Sequence, residues 1–163
     1  MNSVFLTRLD SPIGRIELTG DDDAVTSLSI ERDGALPHDG EPERSNDVLD
    51  LARAQLLEYF AGSRTEFDLP VRLSGTPFQE AVWAELERLG WGEAISYGAL
   101  AAAVGKPGSA RAIGGAVGAN PIPIIVGCHR VLASDGRITG YSGGEGIPTK
   151  LWLLGHERIG FAA

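Results

Sequence analysis

Alternation of apolar and polar positions near the N-terminus predicts three short β-strands. They are Val4–Leu6, Arg15–Thr19 and Val25–Ile30, separated by turn sequences at Ser11–Gly14 and Gly20–Asp23. Because both connections are short, the pattern predicts an antiparallel meander.

The following segment predicts a loop and then a helix. Asp33–Ser45 is rich in Gly, Pro and acidic residues, while Asn46 or Asp47 is a suitable N-cap for a helix that continues to Ala61 and ends at Gly62. Its apolar positions form one stripe: Val48, Leu49, Ala52, Leu56, Tyr59 and Phe60.

After Gly75 the spacing of apolar residues becomes helical. Thr76-Pro77 predicts a helix start, with proline in the first turn. The expected inward stripe is Phe78, Val82, Leu86 and Leu89, with Trp83 at its border.

Two further short helices form a helix-turn-helix candidate. The first begins after Ser96 as N-cap and runs to Val104, the turn is Gly105–Gly108, and the second runs from Ser109 to Val117. By itself this pattern is a moderate signal for DNA binding, because helical hairpins are also common in protein cores.

The last of these helices has almost no side-chain bulk. Each interior glycine costs about 0.5 to 1 kcal/mol relative to alanine, so the composition needs a reason. Either another element packs closely against the helix, or a DNA backbone approaches it with Arg111 projecting from a smooth surface; the residues alone leave both open. The small residues are Ala110, Ala112, Gly114, Gly115, Ala116 and Gly118.

The net charge of -8 argues against nucleic acid as a partner, but the distribution of the charges along the chain weakens that argument. An acidic chain is an unusual ligand for nucleic acid. However, residues 1–74 hold 7 basic and 15 acidic side chains, whereas residues 75–163 hold 7 of each, and residues 94–134 lack Asp and Glu. This acid-free window contains Lys106, Arg111 and Arg130 and suggests an anion-binding face, with a core segment of small residues as the alternative.

Length, hydropathy and cysteine content limit the class of protein. The apolar runs are too short to span a bilayer and the N-terminus lacks a signal-peptide pattern, so we expect a cytoplasmic protein without membrane contact. The single cysteine, Cys128, excludes an internal disulfide. His38, His129 and His156 show no metal-ligand spacing with it, so we expect neither a metal nor a cofactor.

Cys128 follows an apolar run with two prolines. The segment after Asn120 predicts an extended backbone and then a buried strand or extended stretch through Val126. Adjacent side chains in a strand point to opposite faces, so Cys128 and His129 could cooperate only if the chain bends, which Gly127 permits. On this dipeptide alone, an inert buried thiol remains the more frequent situation.

Several separated motifs, read in order, closely resemble the O6-alkylguanine-DNA alkyltransferases. They are Thr76-Pro-Phe78, Ser96-Tyr-Gly98, Ala110-Arg-Ala-Ile-Gly114, Asn120-Pro-Ile-Pro-Ile-Ile-Val-Gly-Cys-His-Arg-Val131, Gly140-Tyr-Ser-Gly-Gly144 and Leu153-Leu-Gly-His-Glu157. The resemblance covers the C-terminal half; the N-terminal part matches only in its general layout.

The resemblance implies an α+β fold, in which a small antiparallel-sheet, ribonuclease H-like subdomain at residues 1–74 acts as scaffold. Residues 75–163 would form a helical domain with the helix-turn-helix and the alkyl acceptor. It also implies repair of DNA by irreversible, stoichiometric transfer of an alkyl group from O6 of guanine. The partner would be double-stranded DNA containing O6-alkylguanine, bound by a monomer.

Residue by residue, the resemblance assigns the acceptor to Cys128. A histidine at the position of His129 draws the thiol proton through a water, and a glutamate at the position of Glu157 orients that histidine. The hydroxyl of Tyr97 donates to guanine N3, which helps the leaving group. His156 is expected to be structural.

The substrate contacts come from the same comparison. The Ser142 backbone N–H would face O6, the Cys128 and Val131 carbonyls would accept from the exocyclic amine, and Tyr141 would form a wall of the pocket. Asn120 would act as a hinge or organise the pocket.

For DNA, the resemblance places the thin helix in the minor groove, with Ala112 and Gly115 against the backbone and Tyr97 nearby. Arg111 would fill the stack after the nucleotide is flipped out, because a base inside the duplex cannot be reached.

One departure from the family pattern is Gly127, where proline is usual. Glycine keeps the bend but loses rigidity, so we expect a reduced rate and predict that Gly127→Pro leaves or raises it. The acidic N-terminal half also predicts weak, salt-sensitive DNA affinity, of about micromolar order.

Three alternatives predict different behaviour. A lesion-recognition protein of the same fold would bind alkylated DNA without accepting the group. A cysteine hydrolase using Cys128 and His129 would turn over repeatedly. A helix-turn-helix regulator would prefer one DNA sequence and tolerate loss of Cys128.

Overall fold

The computed structural model describes residues 4–162. The chain divides into two compact units. The first contains the described residues up to Arg72 together with Gly143–Glu145, and the second contains Leu73–Ser142 and the residues from Gly146 onward.

The N-terminal unit is a three-stranded antiparallel sheet with one helix. Strands β1 (Phe5–Leu9), β2 (Ile16–Gly20) and β3 (Val25–Ile30) lie in sequence order, which confirms the predicted meander. Helix α1 (Asp47–Phe60) packs on the sheet through an apolar stripe that includes Leu49. Burial of these side chains against β1, β2 and β3 holds the unit together.

Local signals set the limits of α1. The Asn46 side chain accepts from the Leu49 backbone N–H, and Gly62 follows the helix with a φ of 81°. The loop between β3 and α1 is irregular, as expected. It is tied to the sheet, because Arg15 donates to Asp39 and Arg8 donates to the carbonyls of His38 and Glu41.

The C-terminal unit is mainly helical. Helices α2 (Pro77–Glu87), α3 (Tyr97–Ala103) and α4 (Ala110–Gly118) pack on one another. Thr76 caps α2 with a complete capping box, and Ser96 caps α3 by accepting from the Ala99 N–H, so both predicted starts are confirmed.

Trp83 was predicted at the border of the inward stripe of α2, and this was wrong. Its side chain is buried, and the indole N–H donates to the Ala116 carbonyl on α4 at 2.8 Å. Helical spacing predicts the centre of an apolar stripe but not its edges. The large Trp83 side chain can be buried at the edge because its indole N–H has an acceptor there.

Two short strands bring distant parts of this unit together. Strand β4 (Ile95–Ser96) pairs in parallel with β5 (Val131–Leu132). A 3₁₀ turn, Cys128–Arg130, immediately precedes β5, and helix α5 (Ile147–His156) packs on that turn. This pairing places the start of α3 beside the segment that contains the single cysteine.

Candidate active site

A cavity of about 310 Å³ in the C-terminal unit brings together four of the residues assigned from sequence. Cys128, Tyr97, Tyr141 and Ser142 all line it. The complete lining is Tyr97, Gly114, Val117, Gly118, Cys128, Thr139, Gly140, Tyr141 and Ser142.

The segment before Cys128 is a compact turn, so the predicted strand or extended stretch is wrong. Val126 N–H donates to the Ile122 carbonyl at 2.9 Å, and Ile124 has a φ of 75°. A positive φ is unfavourable for a β-branched residue, and the surrounding contacts must hold it. Propensity indicated a strand because Ile and Val favour strands, but Asn120 turns the chain.

Asn120 clamps this turn at both ends. Its amide nitrogen donates to the Val126 carbonyl at 2.9 Å, and its amide oxygen accepts from the Ile122 N–H at 3.0 Å. In the described chain neither Asn120 nor Val131 lines the cavity. Asn120 is therefore placed to shape the wall behind the cysteine.

The chain bends at Gly127, as the sequence suggested, so Cys128 and His129 share one turn. The φ of Gly127 is -76°, which any residue adopts, so backbone freedom is not what requires glycine there. Steric room is the stronger reason. A Cβ at position 127 would lie 2.9 Å from both Cδ and Nη1 of Arg130.

Cys128 is 3% exposed, and its thiol lies 4.0 Å from the Tyr141 hydroxyl. Burial raises the pKa of Cys128, since a thiolate is poorly solvated inside the protein. Hydrogen bonds with Asn120 and Tyr141 and the positive charge of Lys150 act in the opposite direction. The site therefore needs a base to take the thiol proton.

His129 and Glu157 form a buried pair behind the cysteine. His129 Nε2 and Glu157 Oε2 are 2.7 Å apart, and both side chains are fully buried. His129 Nδ1 is a buried side-chain atom without a hydrogen-bond partner in the described chain. Burial lowers the pKa of His129, although Glu157 opposes this, so the ring is held neutral.

Glu157 remains charged despite its burial. Burial alone would raise its pKa, but the hydrogen bonds from His129 and Arg130, together with the charge of Arg130, outweigh it and lower the pKa to about 2. A carboxylate only accepts hydrogen bonds, so Glu157 favours the His129 tautomer with hydrogen on Nε2. Nδ1 is then free to accept a proton.

Arg130 was grouped by sequence with Lys106 and Arg111 on an anion-binding face, and for Arg130 this was wrong. Arg130 is only 5% exposed, and its guanidinium donates a hydrogen bond to Glu157. Lys106 and Arg111 are exposed. The acid-free window therefore combines a surface part with a core part.

The thin face of α4 is open. A Cβ on Gly114 or Gly115 would meet nothing within 4 Å, and Ala112 and Gly115 are exposed. Protein packing within the described chain therefore does not require small residues at positions 112, 114 and 115, whereas Ala116 is buried on the packed side of the helix. A second cavity, of about 510 Å³, includes Arg111 and shares Tyr97 with the first.

Comparisons with known proteins agree with this geometry. Residues 4–73 match the family described as 6-O-methylguanine DNA methyltransferase, ribonuclease-like domain, and residues 77–159 match its DNA binding domain. The constitutive methylated-DNA–protein-cysteine methyltransferase of Bacillus subtilis is 39% identical, over 96% of this chain and 97% of its own length. The chain belongs to the methylated-DNA–protein-cysteine methyltransferase family.

Solved structures support the family and the α+β fold. The crystal structure of Mycobacterium tuberculosis O6-methylguanine methyltransferase superimposes with a TM-score of 0.84 at 42% identity, covering 96% of this chain and 93% of that one. A crystal structure of M. tuberculosis OGT in complex with DNA gives the same TM-score and identity, with 94% and 92% coverage.

The sequence analysis of this methyltransferase-family chain did not identify two functional candidates. They are Arg130, in its role as a buried core residue, and Lys150. Lys150 is 1% exposed, and its ammonium donates to the carbonyls of Val131 at 2.7 Å and Gly140 at 3.1 Å. A lysine in an amphipathic helix normally indicates a solvent face, so no local signal could have revealed its burial.

The described residues contain no helix long and apolar enough to cross a membrane. Among the same residues there is also no group of three or more His, Cys, Asp and Glu side chains able to hold a metal ion.

Proposed function

We propose that the protein repairs DNA by moving an alkyl group from O6 of guanine to the Cys128 sulfur in a single turnover. The observation that carries this proposal is the buried His129, whose Nε2 is bonded to Glu157 while Nδ1 has no partner in the described chain, next to a cysteine that lines a cavity. Family membership supports the reaction class.

In the proposed step, His129 Nδ1 takes the thiol proton through a bridging water, and the thiolate attacks the alkyl carbon. The S–C bond forms as the C–O6 bond breaks. The electron pair passes to guanine, which Tyr97 assists with a hydrogen bond or proton at N3. No route back to the thiol is present in this scheme, so each molecule acts once.

The substrate base would occupy the cavity beside Tyr141, with O6 facing the Ser142 backbone N–H. The Ser142 hydroxyl donates to the Gly118 carbonyl at 2.9 Å, which supports a fixed loop at this wall. The Cys128 and Val131 carbonyls already accept from Val131 N–H and Lys150, respectively. Each retains a second lone pair for the guanine amine.

We further propose that residues 75–163 bind alkylated duplex DNA as a monomer, with residues 1–74 as scaffold. The open face of α4, including Ala112 and Gly115, would enter the minor groove, and Arg111 would replace the flipped nucleotide. The exposure of these residues supports the proposal.

The test is intact mass and peptide mapping after mixing reduced protein with an equimolar duplex carrying one O6-methylguanine, with Cys128→Ser as control. One methyl group on Cys128, with guanine restored and no transfer by the variant, is the expected result. Binding without a mass change would instead assign the lesion-recognition role, and methyl transfer to another residue would exclude Cys128 as acceptor.

A further inference from the structure

Arg130 is held in the core by three hydrogen bonds from its guanidinium. Nε donates to Glu157 Oε1 at 2.7 Å, Nη2 donates to Glu157 Oε2 at 3.1 Å, and Nη1 donates to the Leu89 carbonyl at 2.7 Å. The side chain is 7% exposed. The two bonds to Glu157 form a bidentate (two-pronged) contact, the geometry in which arginine binds a carboxylate most strongly.

The carboxylate that Arg130 holds is the one that faces His129. Two neutral arrangements are chemically available to the pair: Nε2–H donating to a carboxylate, or a protonated Glu157 donating to a bare Nε2. In the second arrangement the imidazole hydrogen is on Nδ1, which cannot accept a proton. The ionisation state of Glu157 therefore decides whether Nδ1 is a base.

A third arrangement, imidazolium with carboxylate, would also block Nδ1. With Arg130 present, the charge of Glu157 is already balanced and the ring can stay neutral. Lys150, on α5, adds a positive charge that acts on the ring in the same direction as Arg130, and Cys128 is neutral at rest. Without Arg130, His129 would be the partner left to balance the buried carboxylate.

Gly127 lies directly against the Arg130 side chain. A Cβ at this position would come within 2.9 Å of Cδ and Nη1 of Arg130 and within 3.2 Å of Cζ. Those atoms are fixed by the bonds to Glu157 and Leu89, so they cannot move away without weakening them. The glycine that departs from the usual proline is thus coupled to the guanidinium.

We propose that Arg130 is a positioning residue for the transfer reaction: its guanidinium keeps Glu157 a carboxylate, which fixes His129 as the Nε2–H tautomer and leaves Nδ1 to accept the Cys128 proton. The inference rests on the proposed function for its kinetic consequence. The tautomer itself can be measured without any transfer.

The kinetic test is the single-turnover rate of methyl transfer between about pH 5.5 and pH 9.5, for the wild type and Arg130→Met. Methionine keeps the apolar stem and removes the charge. In the wild type the transfer rate should rise with pH on the acidic side of the profile, which we call the acid limb. In Arg130→Met we expect this limb to shift to higher pH by about one unit, so that the rate at a given pH on the limb falls about tenfold and recovers above about pH 9. The matched control is Arg88→Met, which removes an exposed arginine paired with Glu85.

A purely structural role would lower the rate equally at all pH values, and that result would overturn the proposal. The second measurement is ¹⁵N NMR of the His129 ring at neutral pH, assigned with a His129→Asn variant. Wild type should carry hydrogen on Nε2 only, and Arg130→Met should show hydrogen on Nδ1. An unprotonated Nδ1 in both would also overturn the proposal.

Two milder variants keep the test decisive if Arg130→Met does not fold. Arg130→Lys retains the charge without the two-pronged contact, and Gly127→Ala presses on the guanidinium without removing it. Both variants should shift the acid limb to higher pH, by less than Arg130→Met does. If neither variant shifts it, the proposed positioning role of Arg130 is contradicted. Absence of methyl transfer in the wild type would refute the proposed function, while the NMR result would still decide the role of Arg130.

Discussion

The Lys150 ammonium donates to the Val131 carbonyl at 2.7 Å and so connects α5 to the strand that follows the cysteine turn. The same ammonium donates to the carbonyl of Gly140, which lines the cavity. One buried cation therefore holds two segments that border the candidate active site. Burial lowers the pKa of Lys150, and Cys128 partly opposes this.

From this contact we expect Lys150→Met to slow reaction of the thiol. Removing the positive charge should raise the pKa of Cys128 further. The rate of alkylation by iodoacetamide, plotted against pH, should therefore shift to higher pH by about half a unit or more. The control is Lys106→Met, at an exposed lysine. A profile identical to that of the wild type would show that Lys150 acts only on packing.

Ala112→Leu should separate DNA binding from folding. Ala112 is exposed on α4, and leucine is a good helix former, so stability should change by no more than about 0.5 kcal/mol. Affinity for duplex DNA, measured by fluorescence anisotropy, should fall about tenfold or more because the added bulk blocks close approach to the backbone. Ala54→Leu, at an exposed alanine of α1, is the matched control. Unchanged affinity in Ala112→Leu would contradict the assignment of this face to DNA.

Gly127→Pro remains a prediction from the sequence, and the structure adds a comparison with Gly127→Ala. The φ of -76° fits proline, but both substitutions add a Cβ against Arg130. Alanine adds the contact without rigidity, so we expect it to transfer more slowly than the wild type, and proline to be faster than alanine. Equal rates for the two variants would show that rigidity before the cysteine has no effect.

Stability should decrease as the pH falls below about 6.5, the usual pKa of histidine. The pKa of His129 is lowered in the folded protein, so the unfolded chain binds a proton that the folded chain resists, and acid favours unfolding. One such group contributes up to about 1.4 kcal/mol per pH unit in this window. At lower pH, between about 4.5 and about 2, loss of the Glu157 carboxylate adds to the effect.

The measurement is urea unfolding at about pH 7, 6 and 5. His129→Asn should weaken the pH dependence, whereas His38→Asn, at an exposed position, should keep it. The same dependence in His129→Asn would assign the acid sensitivity to other groups.

Local patterns alone located most of the secondary structure. The meander, the capped start of α1 at Asn46, the capping box at Thr76 and the cap at Ser96 are formed by neighbours in the chain, so the sequence contains the whole signal. The assigned site residues Cys128, Tyr97, Tyr141 and Ser142 came from motif resemblance, and the structure places them around one cavity.

The sequence therefore predicted the meander and helices α1 to α4, and its motifs pointed to the family, but α5, β4 and β5 were not predicted and the segment before Cys128 was predicted wrongly. Which charged side chains are buried, and which groups they bind, depends on contacts that form only in the folded protein. Arg130 reaches Glu157 and Leu89, and Lys150 reaches Val131, across long separations in the chain. Burial of a charge depends on partners that folding brings close, because an unpaired ion inside a protein is too costly.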